Sequence, residues 1–323
     1  MKHMDVTALG ELLIDFTENG ISPQGNPLLE ANPGGAPCNV LAMLAKLGHR
    51  TAFIGKVGAD MFGKRLRQAV TDAGIDTSGL IEDKDVNTTL AFVHTLADGD
   101  REFSFYRNPG ADMMLTPEEV KKELVTDCRI FHFGTLSMTA ENCRRATEEA
   151  VALAKREGAL VSFDPNLREP LWDSLETAKE RTIYGLRQCD ILKISDNEIE
   201  WLTGETDYKK AAERLKEEYR IPLVLISLGK DGSMALSDAG FAQVPGYKVD
   251  TIETTGAGDT FCACVLHYVL EHGFRAYEKE ELTEMLTFAN GAAAIVTTRK
   301  GALAVMPEKE EVEALICSDK NRP

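Results

Sequence analysis

The chain contains no apolar run of the roughly 18 residues that a membrane-spanning helix needs. Its opening, MKHMDVTALGELLIDF, has neither the apolar core nor the cleavage site of a secretory leader, so a cytoplasmic protein is expected. Basic charge is in deficit: 36 Lys and Arg face 52 Asp and Glu, a formal net charge of −16. That balance disfavours nucleic acid and anionic membranes as partners and leaves small molecules as the natural ligands. The seven cysteines (Cys38, Cys128, Cys143, Cys189, Cys262, Cys264, Cys317) are odd in number and never spaced C-x-x-C, so they read as reduced, structural thiols. The histidines (His3, His49, His94, His132, His267, His272) show no zinc-like grouping with cysteine or with one another. Repeats, low-complexity tracts and Pro/Ser-rich linkers are also missing. With 43% hydrophobic residues over 323 positions, one compact domain with a substantial core is the economical reading.

What is present is an α/β texture. From about residue 120, short apolar runs (129–133, 160–163, 191–194, 223–226) alternate with helix-like stretches at about 140–157, 174–187, 196–203 and 208–219. Right-handed β-α-β connections stack such strands into one open parallel sheet, whose ligands sit beyond the strands' carboxyl ends. Residues 88–107 differ: two alternating runs, 89–95 and 102–106, flank Ala97-Asp98-Gly99-Asp100 and predict a β-hairpin. The extended stretch from Leu12 to about Leu29 is expected to pair with it as a small projecting sheet, a lid.

Three strings carry chemistry. Thr254-Thr255-Gly256-Ala257-Gly258-Asp259 precedes an apolar helix, Cys262 to Leu270. Two glycines before a helix let several N–H groups converge, and the helix dipole adds positive potential, which suits a phosphoryl group in transfer. An aspartate there repels resting phosphate but serves as a base for an attacking hydroxyl, so Asp259 is assigned that role, with a simple helix N-cap as the alternative. Gly34-Gly35-Ala36-Pro37-Cys38-Asn39 leads into a helix, Val40 to Leu47, and combines bare backbone with an amide that can grip a hydroxyl pair. A tight turn is its other reading. Asn197 and Glu200 share a helix face and offer oxygens to Mg²⁺, chiefly through water, or else merely complement the helix dipole.

Two look-alikes fail. Gly58 to Arg65 matches a P-loop except at Arg65, where Ser or Thr would ligate Mg²⁺, and Gly256-Ala257-Gly258 has Phe261 where a dinucleotide fingerprint has its third glycine.

With both glycine strings in order and Asn197-x-x-Glu200 between them, the sequence resembles the ribokinase-like, or PfkB-type, carbohydrate kinases over essentially its whole length. Within them it is most similar to fructokinases, on Gly10 to Phe16, Phe105 to Asp112 and Phe163 to Arg168 with Leu171-Trp172. The resemblance implies a ribokinase-like, Rossmann-type three-layer αβα sandwich, with residues 1–323 as a single kinase domain and a β-sheet lid from approximately 12–33 and 88–110. It implies ATP and Mg²⁺ as cofactors, a sugar substrate, and a homodimer through the lid. Asp15, Gly34, Gly35, Asn39 and Arg107 are then sugar-binding, beside Asp259. Arg168 stabilises the transferring phosphoryl group, and Gly256, Ala257 and Gly258 form the anion hole. Lys193, Ser227, Gly229, Gly232, Thr255 and Asn290 lie along ATP, with Asn197 and Glu200 organising Mg²⁺. Glu253 stands where many members have aspartate at a K⁺ site, with Thr255 nearby and further ligands expected around 297–301, so K⁺ dependence is left open. The expected reaction makes fructose 6-phosphate. Phosphorylation of aminoimidazole riboside or 2-keto-3-deoxygluconate is the nearest alternative, and a non-catalytic sugar or nucleotide sensor the alternative of another class.

Overall fold

The computed structural model describes residues 2–95, 101–301 and 303–320. Its strands in chain order are β1 (Met4–Leu9), β2 (Leu13–Ile21), β3 (Pro27–Gly34), β4 (Thr51–Gly58), β5 (Asp76–Asp83), β6 (Leu90–Thr95), β7 (Arg101–Tyr106), β8 (Cys128–Gly134), β9 (Leu160–Asp164), β10 (Ile191–Ser195), β11 (Leu223–Ser227), β12 (Ser233–Leu236) and β13 (Phe241–Val244). The helices are α1 (Ala36–Lys46), α2 (Met61–Asp72), α3 (Lys122–Thr126), α4 (Glu141–Arg156), α5 (Leu175–Gln188), α6 (Asp196–Thr203), α7 (Tyr208–Tyr219), α8 (Ala257–His272), α9 (Lys279–Thr297) and α10 (Lys309–Lys320).

Nine strands form one sheet in the order β13-β12-β11-β10-β9-β8-β1-β4-β5, parallel except for β12 and β13. The sheet therefore takes in the first third of the chain, whereas the sequence pattern placed its start near residue 120. The reason is burial. Every residue of β4 is buried, and a strand covered on both faces shows no alternation to read. Successive side chains of β11 supply opposite faces, Leu223 and Leu225 packing with α1, α8 and α9, and Val224 and Ile226 with the α4 to α7 layer. The result is a ribokinase-like three-layer sandwich.

Four strands make a second sheet, β3-β2-β6-β7, joined where the chain leaves β1 and β5. The predicted hairpin strands pair antiparallel from Leu90↔Tyr106 to Thr95↔Arg101, while the Asp-Gly turn lies outside the described residues. Alternation gives this sheet two characters. Phe16, Phe92 and Tyr106 form an aromatic ladder on one face, reaching Phe62 of α2, whereas Leu13, Asp15, Val93 and Phe105 line a cavity on the other.

Local chemistry sets the helix ends. The Asp60 carboxylate caps α2 by accepting from the Phe62 and Gly63 N–H groups, so the P-loop look-alike already holds its own anion. Ser195 and Glu198 form a reciprocal capping box on α6, which Gly204 stops in a left-handed conformation. Helix α8 begins at Ala257 and not at Cys262. Its N-cap is Gly256, so Asp259 sits inside the first turn and is not the cap.

Six cysteines are buried and free, and Cys317 is exposed. The histidine reading needs a correction: His49 Nε2 and His267 Nδ1 lie 2.7 Å apart, 218 positions apart in sequence, which no local spacing reveals. Burial lowers both imidazoles, His267 to about 4, so the pair is neutral near pH 7. Among the described residues no helix is long and apolar enough to cross a membrane.

Candidate active site

Two cavities open above the carboxyl ends of the central strands and meet at the start of α8. The first, about 390 Å³, is lined by Glu11, Asp15, Asn39, Arg168, Lys193 and Asp259, with the second sheet as its roof. The second, about 560 Å³, is lined by Ser227, Gly229, Gly232, Asn290 and Thr297, and shares Thr254 and Gly258 with the first. The convergent N–H groups of the α8 N-terminus therefore stand in the partition between them.

Asp259 is 9% exposed, and its Oδ2 accepts a 2.8 Å hydrogen bond from Asn39 Nδ2. Burial raises its pKa, against the opposing pull of Asn39, Lys193 and Arg168. Asn39 Oδ1 is buried with no protein partner, leaving an acceptor for a ligand hydroxyl. The two glycines before it are required by close approach of the protein to itself. A Cβ on Gly34 would lie 2.2 Å from Asp15 Oδ2, and one on Gly35, at φ 135°, 2.4 Å from the Glu11 carbonyl oxygen. Sequence reasoning gave these glycines to a ligand; Gly35 does line the first cavity, and both also pack closely on Asp15 and Glu11. Burial carries Asp15 up to about 7, Arg168 opposing and the Glu253 and Asp259 carboxylates reinforcing.

Beneath the N-terminus of α8 lies a buried ion pair. Lys193 Nζ is 2.9 Å from Asp164 Oδ2, and a Cβ on Gly258 would stand 3.0 Å from that nitrogen. Burial works to lower the Lys193 ammonium, but Asp164, Glu198 and Asp259 together outweigh it and hold it above its ordinary value. Burial likewise pushes Asp164 to about 7. Arg168 reaches the cavity because Asn166 turns the chain at φ 46° just after β9, with its N–H donating to Asp164 Oδ1 at 3.2 Å.

Some sequence-predicted residues stand elsewhere. Arg107, 6% exposed, donates to Asp112, to Thr139 Oγ1 at 2.8 Å and to the Leu136 carbonyl at 3.0 Å, so its guanidinium braces the root of the second sheet. It lines neither cavity. Asn197 and Glu200 are exposed on α6 and line neither cavity, because Ile199 and Leu202 turn the opposite face to the core. The inward carboxylate is Glu198, which accepts from Leu167 N at 2.7 Å and Ser195 N at 2.8 Å; the Ser195-x-x-Glu198 pattern was the available signal. Asn290 lines the second cavity, but its amide is engaged with Ser233 Oγ (2.8 Å) and the Val244 carbonyl (3.2 Å), so it builds the wall. Glu253 accepts from Thr255 Oγ1 at 2.8 Å and Gly301 N at 3.0 Å, bringing the two predicted K⁺-site segments together. Glu11, missed as a site residue, is buried and raised to about 7 by burial, and accepts from Ala36 N at 2.9 Å.

An acid-lined cavity and a larger one lined by glycines and small or apolar side chains, meeting at a helix N-terminus, are the anatomy of an enzyme that passes a phosphoryl group from one ligand to another. Comparison with known proteins narrows the class: residues 4–309 match the pfkB family carbohydrate kinase, and the chain belongs to that family. It is 41% identical over 313 residues to Fructokinase-1 of Zea mays, covering 96% of this chain and 97% of that protein. A fructokinase from Xylella fastidiosa with bound ATP superposes with a TM-score of 0.88 at 31% identity, covering 98% of this chain and 99% of that one. A fructokinase double mutant from Vibrio cholerae O395, with fructose, ADP and potassium ion bound, gives 0.86 at 28% identity with the same coverage.

Proposed function

We propose that the protein phosphorylates the primary hydroxyl of D-fructose with ATP, yielding fructose 6-phosphate. The observation that carries this reading is the Asn39–Asp259 hydrogen bond in the first cavity, next to Gly258 of the shared partition. Asn39 holds one carboxylate oxygen and leaves the other to take the proton from the sugar hydroxyl as it attacks. Burial strengthens Asp259 as a base. Developing charge on the transferred group meets the N–H groups of residues 256–259 and the Arg168 and Lys193 cations, a site that needs no reorganisation as the reaction proceeds. Asp15 and the free Asn39 Oδ1 accept from sugar hydroxyls, and the second sheet serves as the lid that excludes water.

ATP would occupy the 560 Å³ cavity, supplying the phosphoryl group to be transferred. Mg²⁺ would be held by phosphate oxygens and water and would neutralise phosphate charge; Asn197 and Glu200, outside both cavities, could reach it only through water. The Glu253 corner offers a carboxylate and the Thr297 carbonyl, hard oxygen donors that fit a K⁺ ion and would order the approach to the anion hole. Ile21, Leu28, Leu29 and Tyr106 are exposed on the small sheet, and we assign that surface to a homodimer contact. A cytoplasmic setting is in keeping with the free thiols.

A coupled ADP-release assay with fructose, aminoimidazole riboside and 2-keto-3-deoxygluconate tests the reading. Turnover with fructose is expected, and turnover with another acceptor in its absence would overturn the assignment.

A further inference from the structure

The far ends of α1 and α8 meet in a cluster that catalysis does not use. His49 follows the α1 cap, its N–H donating to the Leu44 carbonyl at 3.0 Å, and His267 and Glu271 lie one turn apart on α8. One ring nitrogen of each histidine and one Glu271 carboxylate oxygen all lie within 4.8 Å of one another, and His49 Nε2 is 2.7 Å from His267 Nδ1. We propose that His49, His267 and Glu271 form a site for a first-row transition-metal ion such as Zn²⁺, remote from the reaction centre.

Two imidazoles and one carboxylate are the donor set of open, three-ligand zinc sites. Tetrahedral bonds of roughly 2.0–2.1 Å hold ligand atoms about 3.3 Å apart, so the imidazole pair, now at 2.7 Å, opens slightly and the exposed Glu271 swings in. The outer layer is also present: Asp5 Oδ2 lies 4.0 Å from His49 Nδ1, where a carboxylate can orient a ligating ring. The carboxyl ends of two helices point at the cluster, and their dipoles favour a cation. Of the cationic groups that face it, Arg129 is held by Asp5 and the Leu270 carbonyl, while Lys309, 4.0 Å from Glu313, and His272 are both exposed to water. His267 also lines a separate cavity of about 560 Å³ between α8, α9 and α10, which gives entry to the ion and room for a water as fourth ligand. From Asp259 to His267 is eight residues, about 12 Å along the helix, so the ion would clip α1 to α8 without touching substrate.

Co²⁺ titration of the full-length, nucleotide-free protein, followed by visible d–d absorption, tests the site. A Cys317→Ser background removes the exposed thiol as a competing ligand. One equivalent is expected in this parent, binding at least tenfold weaker in Glu271→Gln, and that equivalent missing in His49→Gln and His267→Gln. All variants should keep kcat with ATP and fructose within twofold, which serves as the folding control; should that assay fail, circular dichroism replaces it. Zn²⁺ should raise the Tm of the parent and of neither histidine variant. Equal Co²⁺ binding in parent and His267→Gln, or none in the parent, would reduce the cluster to a hydrogen-bonded histidine pair and overturn the proposal.

Discussion

The two cavities that share Thr254 and Gly258 are built from different materials. The smaller is walled by charged side chains, Glu11, Asp15, Arg168, Lys193 and Asp259, most of them withdrawn from water and several with shifted pKa values. The larger is walled by glycines and by small or apolar side chains such as Val249, Phe261, Ala293 and Ala294. A Cβ on Gly232 would stand 2.0 Å from the Val244 carbonyl oxygen, one on Gly246 2.3 Å from that of Lys230, and the charged residues Lys230, Asp231 and Lys248 are exposed. One cavity thus reads its ligand by titratable groups whose desolvation costs stability, and the other by shape and main-chain contacts that cost little. An isosteric change of charge should therefore injure the first, and an added methyl group the second.

The largest expected effect is on the base. Asp259→Asn should lower kcat by on the order of a thousandfold or more while the KM for ATP stays nearly constant, measured by coupled ADP release. Near-normal turnover would remove Asp259 from its role. Arg168→Ala should lower kcat by roughly a hundredfold, the usual weight of one preorganised charge on the transferred group, with little change in Tm because Arg168 is only partly buried. Gly232→Ala tests the other wall. With φ at +103° and no room for the methyl group, the KM for ATP should rise about tenfold while the KM for fructose is unchanged. A parallel rise in both would mean that the cavities do not respond separately.

The smallest effect is on stability, and its sign is opposite to that on activity. The Asp15 carboxyl keeps its proton up to about 7 in the fold, whereas an unfolded aspartate loses it near 3.9. The stability linked to that proton is fully present below about 3.9 and is lost as pH rises through about 7. Asp15→Asn should therefore raise the Tm of the ligand-free protein by about 2–4 °C at pH 8, and by less at pH 5, while abolishing tight fructose binding. In the unaltered enzyme, kcat/KM for fructose should fall as pH is lowered through about 7.

The sequence made the second half of the sheet plain, because β8 to β11 alternate with helices whose ends carry caps, and α6 and α7 fall on the expected residues. β4 and the inner part of β1 escaped because buried strands lose the period-2 signal, and β5 because this edge strand buries only Gly79 and Leu80. Within the site, the glycine strings announced themselves through backbone chemistry. The phase of α6 did not: whether Glu198 or the Asn197/Glu200 face looks inward depends on which side meets the sheet, and only the capping box hinted at it. Arg107 was legible as important but not as a brace, since its partners Leu136 and Thr139 are about 30 residues away. The Lys193–Asp164 pair needed two strands to be known as neighbours before it could be seen.

The Asn39–Asp259 hydrogen bond joins residues 220 positions apart. During synthesis, Asn39 has no Asp259 to bond, and the first cavity no wall from α8, until more than three-quarters of the chain has been made. A chain ending before α8 should therefore carry Glu11, Asp15 and Asn39 without any activity. Recovery of turnover on refolding accordingly reports closure of a loop of 220 residues, and should trail the appearance of helix by whatever time that closure takes.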